Sequence, residues 1–367
     1  MKENKWLFIA LSGVGGWLLS LTGLSIGWML GTLLMAALIS FAKPNFIGEK
    51  GTPKYWLSIG QCILGIELGQ KINLSVLSIF HKQWAVIMIM LLLSVLFSLL
   101  SGLVLWKFSR TDLMTSFFGT APGGLSAMPG MAEDVGANTA VVSIIQTMRV
   151  FLVIFIIPIV VSVLGFHPSG QLAIKSTPPP SFEWNQLLWT GILIVCAYGG
   201  YHIGKKLKFP APWLLGSMVS VAIVQSLSSA YVGRDLAAIW PYSVMVVSQI
   251  LIAAFIGSRF RKEMFAGLRK TVLVAFISTL FLIAAMFACA YLVSTITGIA
   301  FMTAALAFAP GGIAEMAATA VVIDADATFV VAVQVLRIIS VCLILPPIFK
   351  QIHKWEMRKE IHSHASA

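Results

Sequence analysis

Two short stretches constrain this chain more than anything else in it. TAPGGLSAMPG (120–130) and FAPGGIAEMAA (308–318) each set a proline beside paired glycines within long apolar runs. Glycine and proline are the poorest residues for a helix interior. Their recurrence is part of a longer internal match. Residues 121–158 align with 309–346 at an offset of 188, so that Pro122-Gly123-Gly124 falls on Pro310-Gly311-Gly312 and Met128 on Met316. Gln146 falls on Gln334, Arg149 on Arg337 and Pro158 on Pro346. At the same offset Gln61 meets Gln249 and Gly69 meets Gly257, and 15–31 matches 199–216 with one inserted residue. A period of this size, covering nearly the whole chain, marks a duplicated unit. The segment Gly165 to Glu183, with its STPPPS, separates the copies as a linker. The implied organisation is a first repeat at 1–164, a linker at 165–184, a second repeat at 185–350 and a cytoplasmic tail at 351–367.

The lipid bilayer is the medium the composition implies. Hydrophobic residues make up 58% of the chain and charged residues 11%, against about 25% charged in ordinary soluble domains. Apolar runs near membrane length recur throughout. The net charge of +11 does not indicate nucleic acid, because the basic residues sit in short loops between apolar runs, as on a cytoplasmic membrane face. Cys62, Cys196, Cys289 and Cys342 all lie in apolar segments without a C-x-x-C pair and read as small core residues. The N-terminal MKENKWLFIALSGVGGWLLS resembles a signal peptide, but the duplication makes it a retained helix.

Five apolar spans are expected in each half, near 5–22, 26–42, 55–70, 84–106 and 138–163, then near 186–204, 211–230, 237–258, 271–294 and 326–349. The PGG segments fall between the fourth and fifth. If each crosses the bilayer, the halves run parallel, and Lys and Arg divide 13 to 10 between the two sides. If each is a re-entrant hairpin, the second half is inverted. Of the 25 Lys and Arg, Arg149 and Arg337 then lie within spans and only Lys71, Lys82, Lys175 and Arg234 fall outside. The charge bias selects the second arrangement: an all-α polytopic membrane protein with an inverted 5+5 repeat, both termini cytoplasmic, in the cell membrane. Hairpin arms near 112–121 and 124–135, at about 1.5 Å per residue, each reach the middle of a ~30 Å core. A broken crossing helix is the alternative geometry.

Inverted repeats with interrupted helices at the midplane are the architecture of secondary transporters. A helix that restarts inside the membrane presents bare N–H groups that favour anions. Glycine lets a ligand approach the backbone. Gly123, Gly124, Gly311 and Gly312 are therefore candidate substrate contacts, with hydroxyls at Thr120 and Ser126. The competing reading is that the PGG turns only close tight hairpins. Arg149 and Arg337 sit in strongly apolar helices, where an arginine costs at least about 2.5–3.5 kcal/mol. Their forks suit carboxylate or phosphate, or else tie down a hairpin through its carbonyls. Gln146 and Gln334 lie three residues earlier on the same face. Glu315, where the first half has Ala127, either complements a helix N-terminus or carries a coupling proton or cation. Glu67 is a second coupling candidate, or a simple i,i+4 partner of Lys71. Glu133, Asp134, Asp324 and Asp326 lie at hairpin exits as caps of the next helix or solvated charges, with a gating or cation role as the alternative. Gln61 and Gln249 either bond across helices or touch ligand.

APGGLSAM and APGGIAEM, each followed by a Q-x-x-R helix, resemble the AbrB family of duplicated membrane proteins over essentially the full chain. The small soluble DNA-binding domain that shares this name is a different protein. Family labels include transcriptional regulator and ammonia monooxygenase. The histidines His81, His167, His202, His353, His362 and His364 are placed in loops or termini, so no metal site for oxygenase chemistry is expected. Walker and zinc-protease motifs are lacking. The expectation is not an enzyme and needs no cofactor. It is a secondary transporter of a small anion or organic acid, coupled to H⁺ or Na⁺, with room for a homo-oligomer. A membrane sensor acting indirectly on gene expression is the second reading, and a membrane-bound oxidoreductase the third.

Overall fold

The computed structural model describes residues 5–23, 26–43, 46, 52–71, 75–109, 111–122, 128, 132–133, 135–163, 184–232, 236, 238–262, 268–341 and 344–345. Described residues form helices and no strands. In chain order they are α1 (Lys5–Ser20), α2 (Gly27–Ala42), α3 (Lys54–Lys71), α4 (Ser75–Phe108), α5 (Leu113–Thr120), α6 (Thr139–Val163), α7 (Trp184–Lys206), α8 (Pro212–Val232), α9 (Tyr242–Gly257), α10 (Arg269–Thr297), α11 (Phe301–Phe308), α12 (Ile313–Val322) and α13 (Ala327–Val341). Each of the ten expected spans contains a described helix, the tenth of them as far as Val341. Five of them carry a stretch long and apolar enough to cross a membrane: α4, α6, α7, α8 and α10. The other five are shorter or less apolar. The 16 residues each of α1, α2 and α9 rise only about 24 Å, less than a ~30 Å hydrocarbon core. Two histidines are not where the sequence placed them. His81 is within α4 and His202 within α7, edge-on to Tyr198 at 4.7 Å and Tyr201 at 4.9 Å. The linker and the C-terminal tail lie outside the described residues.

Two compact units form, and each draws on both halves of the sequence. The first comprises Met1–Lys82, Ile154–Lys262 and Ile313–Val331; the second comprises Gln83–Val153, Glu263–Gly312 and Ala332–Ala367. The first unit is packed through small residues. An added Cβ on Gly31 would overlap the Gly15 carbonyl, and one on Gly216 would overlap that of Gly200. Thus α1 meets α2 as α7 meets α8, with the same sixteen-residue spacing between the touching glycines. Gly69 of α3 sits against Met218 and Val221 of α8, and Gly257 of α9 against Leu33 and Ala36 of α2; a Cβ would lie 2.7 and 2.8 Å from the respective carbonyl oxygens. Such close backbone approach is how helices associate where no hydrophobic driving force separates them from lipid.

At the centre of this unit α3 crosses α9. The Thr52 and Ser258 hydroxyls are 2.7 Å apart, and Ser248 donates to the Gly60 carbonyl at 2.8 Å. Ascending residues of α3 meet descending residues of α9, so the two helices are antiparallel. Gly60 and Ser248 are counterparts at the 188-residue offset, and the next counterpart pair is Gln61 and Gln249.

In the second unit, Leu113, Met114, Phe117 and Phe118 of α5 are buried with Val95, Met128, Val142 and Val341. Local turns recur at the repeat offset. Gly136 (φ 73°) and Asp324 (φ 58°) both adopt the left-handed conformation, which glycine takes freely and aspartate tolerates. Two residues on, Asn138 and Asp326 cap α6 and α13 by accepting from Val141 at 3.1 Å and Phe329 at 2.9 Å. The cap expected at Asp326 is present.

The glycine contacts predict a sharp contrast. Gly31→Val should destabilise the protein in detergent by roughly 1–3 kcal/mol through overpacking, read as a lower tryptophan-fluorescence melting midpoint. Gly199→Ala, which meets nothing within 4 Å, should leave the midpoint unchanged or raise it. Equal midpoints for both variants would refute the packing account.

Candidate functional site: two capped helix breaks

The short helices α5 and α11 stop immediately before their PGG segments. A helix end leaves its last carbonyls without intrahelical donors, and in an apolar surrounding the protein itself must supply them. The sequence does this with the Q-x-x-R pair. In the first half, the Gln146 amide donates to Phe118 O at 2.9 Å and Ala121 O at 2.8 Å. Arg149 donates to Thr120 O through Nη1, and through Nη2 to Ala121 O at 3.2 Å and to the Gln146 side-chain oxygen at 2.9 Å. In the second half, Gln334 donates to Leu306 O at 2.9 Å and Ala309 O at 3.1 Å. Arg337 donates to Ala309 O, to Gly311 O at 2.8 Å and to the Gln334 side-chain oxygen. Gln146 and Gln334 have carbonyl partners at matching repeat positions.

Helical periodicity explains the spacing. Residues three apart share one face, so the glutamine and arginine reach the same open end. All four side chains are buried, Gln146 and Gln334 completely. Charge-assisted bonds contribute about 1.5–3 kcal/mol each, which offsets the insertion cost of the arginine. Among the described residues neither guanidinium has a carboxylate partner, and each keeps one buried Nε–H without an acceptor. Arg149 also lies close enough to Arg337 for the two charges to repel. The second unit thus holds two uncompensated positive charges beside interrupted backbone.

The remaining sequence candidates divide. Gly123, Gly124 and Ser126 lie outside the described residues. Gly311 is buried and supplies a carbonyl to Arg337; Gly312 is half-buried. The Thr120 hydroxyl turns back to Ser116 O at 3.0 Å. Glu315 is buried in the first turn of α12. In the same unit Arg259 follows α9 and stacks over Phe255 at 4.6 Å; burial lowers its pKa, and the Glu315 charge counteracts that. Glu67 pairs with Lys71 at 2.6 Å. Gln249 is fully buried with neither amide atom partnered. Sequence reasoning missed Ser98, which donates to Thr120 O, and Gly102, where a Cβ would crowd Phe117 and Thr120. Their positions in the second half are Met286 and Ala290, so comparing the repeats carries no signal for them.

The fold and these breaks define a class: an all-helical protein with membrane-length apolar helices and paired internal helix interruptions, each capped by glutamine and arginine. A family model described as "Transition state regulatory protein AbrB" matches residues 28–353, and the chain belongs to the AbrB family. It is 52% identical over 359 residues to "Uncharacterized protein YhjN" of Bacillus subtilis (strain 168), covering 96% of this chain and 93% of that one. It is 28% identical over 309 residues to "Putative regulator AbrB" of Escherichia coli (strain K12), covering 84% of this chain and 85% of that one.

The capping scheme predicts matched losses in the two halves. Gln146→Leu and Gln334→Leu each remove two buried amide contacts; Phe118 O or Leu306 O loses its side-chain donor while Ala121 O or Ala309 O keeps the arginine, and each variant should lower stability by about 1–3 kcal/mol per group left unsatisfied. Glu67→Gln, at an ion pair whose lysine is 61% exposed, should cost less than about 1 kcal/mol. Thermal melts of the three variants test this ordering, and a wild-type melt for Gln334→Leu would contradict it.

Proposed function

We infer that this chain is a secondary transporter of a small anion or organic acid, driven by H⁺ or Na⁺ and resident in the cell membrane. The observation that carries this reading is the pair of buried arginines, held at interrupted backbone without a carboxylate partner among the described residues. Non-helical backbone at membrane depth is tolerated only when buried in protein or lining a wet cavity. A net positive field beside such backbone suits an anion and repels a cation. The guanidiniums act on the solute mainly through this field, because their Nη donors are engaged by chain carbonyls. Direct contact falls to the PGG backbone at Gly123, Gly124, Gly311 and Gly312, with Ser126.

The topology in this reading is the inverted 5+5 repeat, with PGG hairpins entering from opposite sides and both termini cytoplasmic. The antiparallel crossing of counterpart helices α3 and α9 supports it, as does the Lys/Arg bias of the loops. Glu315 is the coupling residue: a buried acid in a first helical turn, where the first half has alanine. The chain performs no covalent chemistry in this reading.

Reconstitution in liposomes tests each part. Wild-type protein should accumulate a labelled organic acid when a proton or sodium gradient is imposed. Glu315→Gln should abolish gradient-driven accumulation while retaining solute exchange at zero gradient. Arg149→Lys and Arg337→Lys should each reduce both activities by at least about tenfold, or about 1.4 kcal/mol. Unchanged accumulation in all three variants would overturn the assignment. The name of the Escherichia coli relative favours a second reading, a membrane regulator. Absence of flux for any tested anion, with a soluble protein captured reproducibly by the chain, is the result that selects it.

A further inference from the structure

The second unit contains a pocket of about 370 Å³ that the transport reading does not use. Among the residues lining it are Asp112, Thr115, Asn138, Arg269, Lys270 and Thr271. Three helices begin at its wall: α5 after Asp112, α6 after Asn138 and α10 at Arg269. The Asp112 carboxylate is already engaged by the Thr115 N–H at 2.8 Å, and the Thr115 hydroxyl accepts from the Asn138 N–H at 2.9 Å. The two cations are different. Arg269 and Lys270 are exposed and have no partner among the described residues. Thr271, only 5% exposed, also lines the pocket, and its hydroxyl makes no hydrogen bond among the described residues. A threonine side chain beside two cations that have no carboxylate partner among the described residues suits an acceptor-rich, negatively charged group. The partial positive charge of three helix starts acts in the same direction.

We propose that this pocket binds a phosphate group, with Arg269 and Lys270 supplying charge and Thr271 a hydroxyl donor. The position of the pocket bears on the source of that phosphate. Its basic wall is the first residues of α10, a helix of membrane length, so it lies where apolar span gives way to polar surroundings. That is the level of phospholipid headgroups, and basic pockets at helix ends bind them. A free phosphate ester has the same chemistry.

Native mass spectrometry of the full-length protein, with phosphatidylglycerol and phosphatidylcholine added in turn, tests the proposal. Inorganic phosphate is the competitor. Wild type should retain phosphatidylglycerol through detergent activation. Arg269→Gln/Lys270→Gln should weaken retention by about tenfold, and Thr271→Val should weaken it by a smaller factor. Lys205→Gln/Lys206→Gln, at exposed lysines elsewhere, should leave it unchanged. Millimolar phosphate that displaces the lipid identifies a free phosphate as an equally good ligand; lipid retained under that challenge identifies the headgroup. Retention by the pocket variants equal to wild type, or an equal loss in the Lys205/Lys206 control, would overturn the site. None of these readouts depends on transport, so failure here leaves the transport reading standing.

Discussion

Everything unusual in this chain follows from carbonyl groups left open where a helix stops in apolar surroundings. Water satisfies such groups at the surface of a soluble protein. Here the donors must come from the chain, and a glutamine three residues ahead of an arginine supplies them from one helix face. The glutamine joins the set together: its amide serves two carbonyls while its oxygen accepts from the arginine. Removing either member leaves the other with unmet polar groups, so the pair acts as one unit. The break is thereby made tolerable, and a stretch of unpaired backbone is kept where a continuous helix would have hidden it. The positive charge is then a by-product of the capping, and it gives the surrounding field its sign.

The first unit meets a different demand with the same economy. Its helices are apolar on most faces, so they cannot be sorted by burying a single hydrophobic face. Glycine contacts do the sorting. Gly69 on α8 and Gly257 on α2 are counterpart contacts, which means each half supplies a helix that packs on the other half. The antiparallel crossing of α3 and α9 brings counterpart residues together near Gln61 and Gln249. A polar side chain with no partner, such as Gln249, is costly in such a place, and the cost marks it as a position under some demand other than packing.

Much of this was legible from the residues alone. The spans were visible because apolar runs and their breaks alternate at a period set by helix rise. Gln146, Arg149, Gln334 and Arg337 were visible because polar residues stand out against an apolar helix and recur at a fixed offset. What their side chains contact was not legible. A guanidinium that binds a solute and one that caps a carbonyl have the same sequence, and only the distance to Thr120, Ala121, Ala309 and Gly311 distinguishes them. The expected span at 237–258 opens earlier than α9, which begins at Tyr242 after Pro241; hydropathy does not mark that start, and the proline does. Ser98 was hidden because it has no polar counterpart at Met286. The Arg269–Thr271 wall was hidden because a basic pair at a helix end looks like any other membrane-flanking charge.

The repeat itself separates construction from specialisation. Features present in both halves, the Q-x-x-R caps, the left-handed turns at Gly136 and Asp324 and the glycine crossings, all serve to hold backbone in place. Several polar groups are present in one half only: Glu315 falls opposite Ala127, Asp112 opposite Ala300, and Arg269 and Thr271 opposite His81 and Gln83, whereas Lys270 has a lysine counterpart in Lys82. Contacts of one kind made at both matched positions do the same work in each place, which is to satisfy or pack backbone. Loss of symmetry at a charged position is therefore a physical pointer to function in this chain, and conservation of symmetry at a charged position, as at Arg149 and Arg337, is a pointer to structure first.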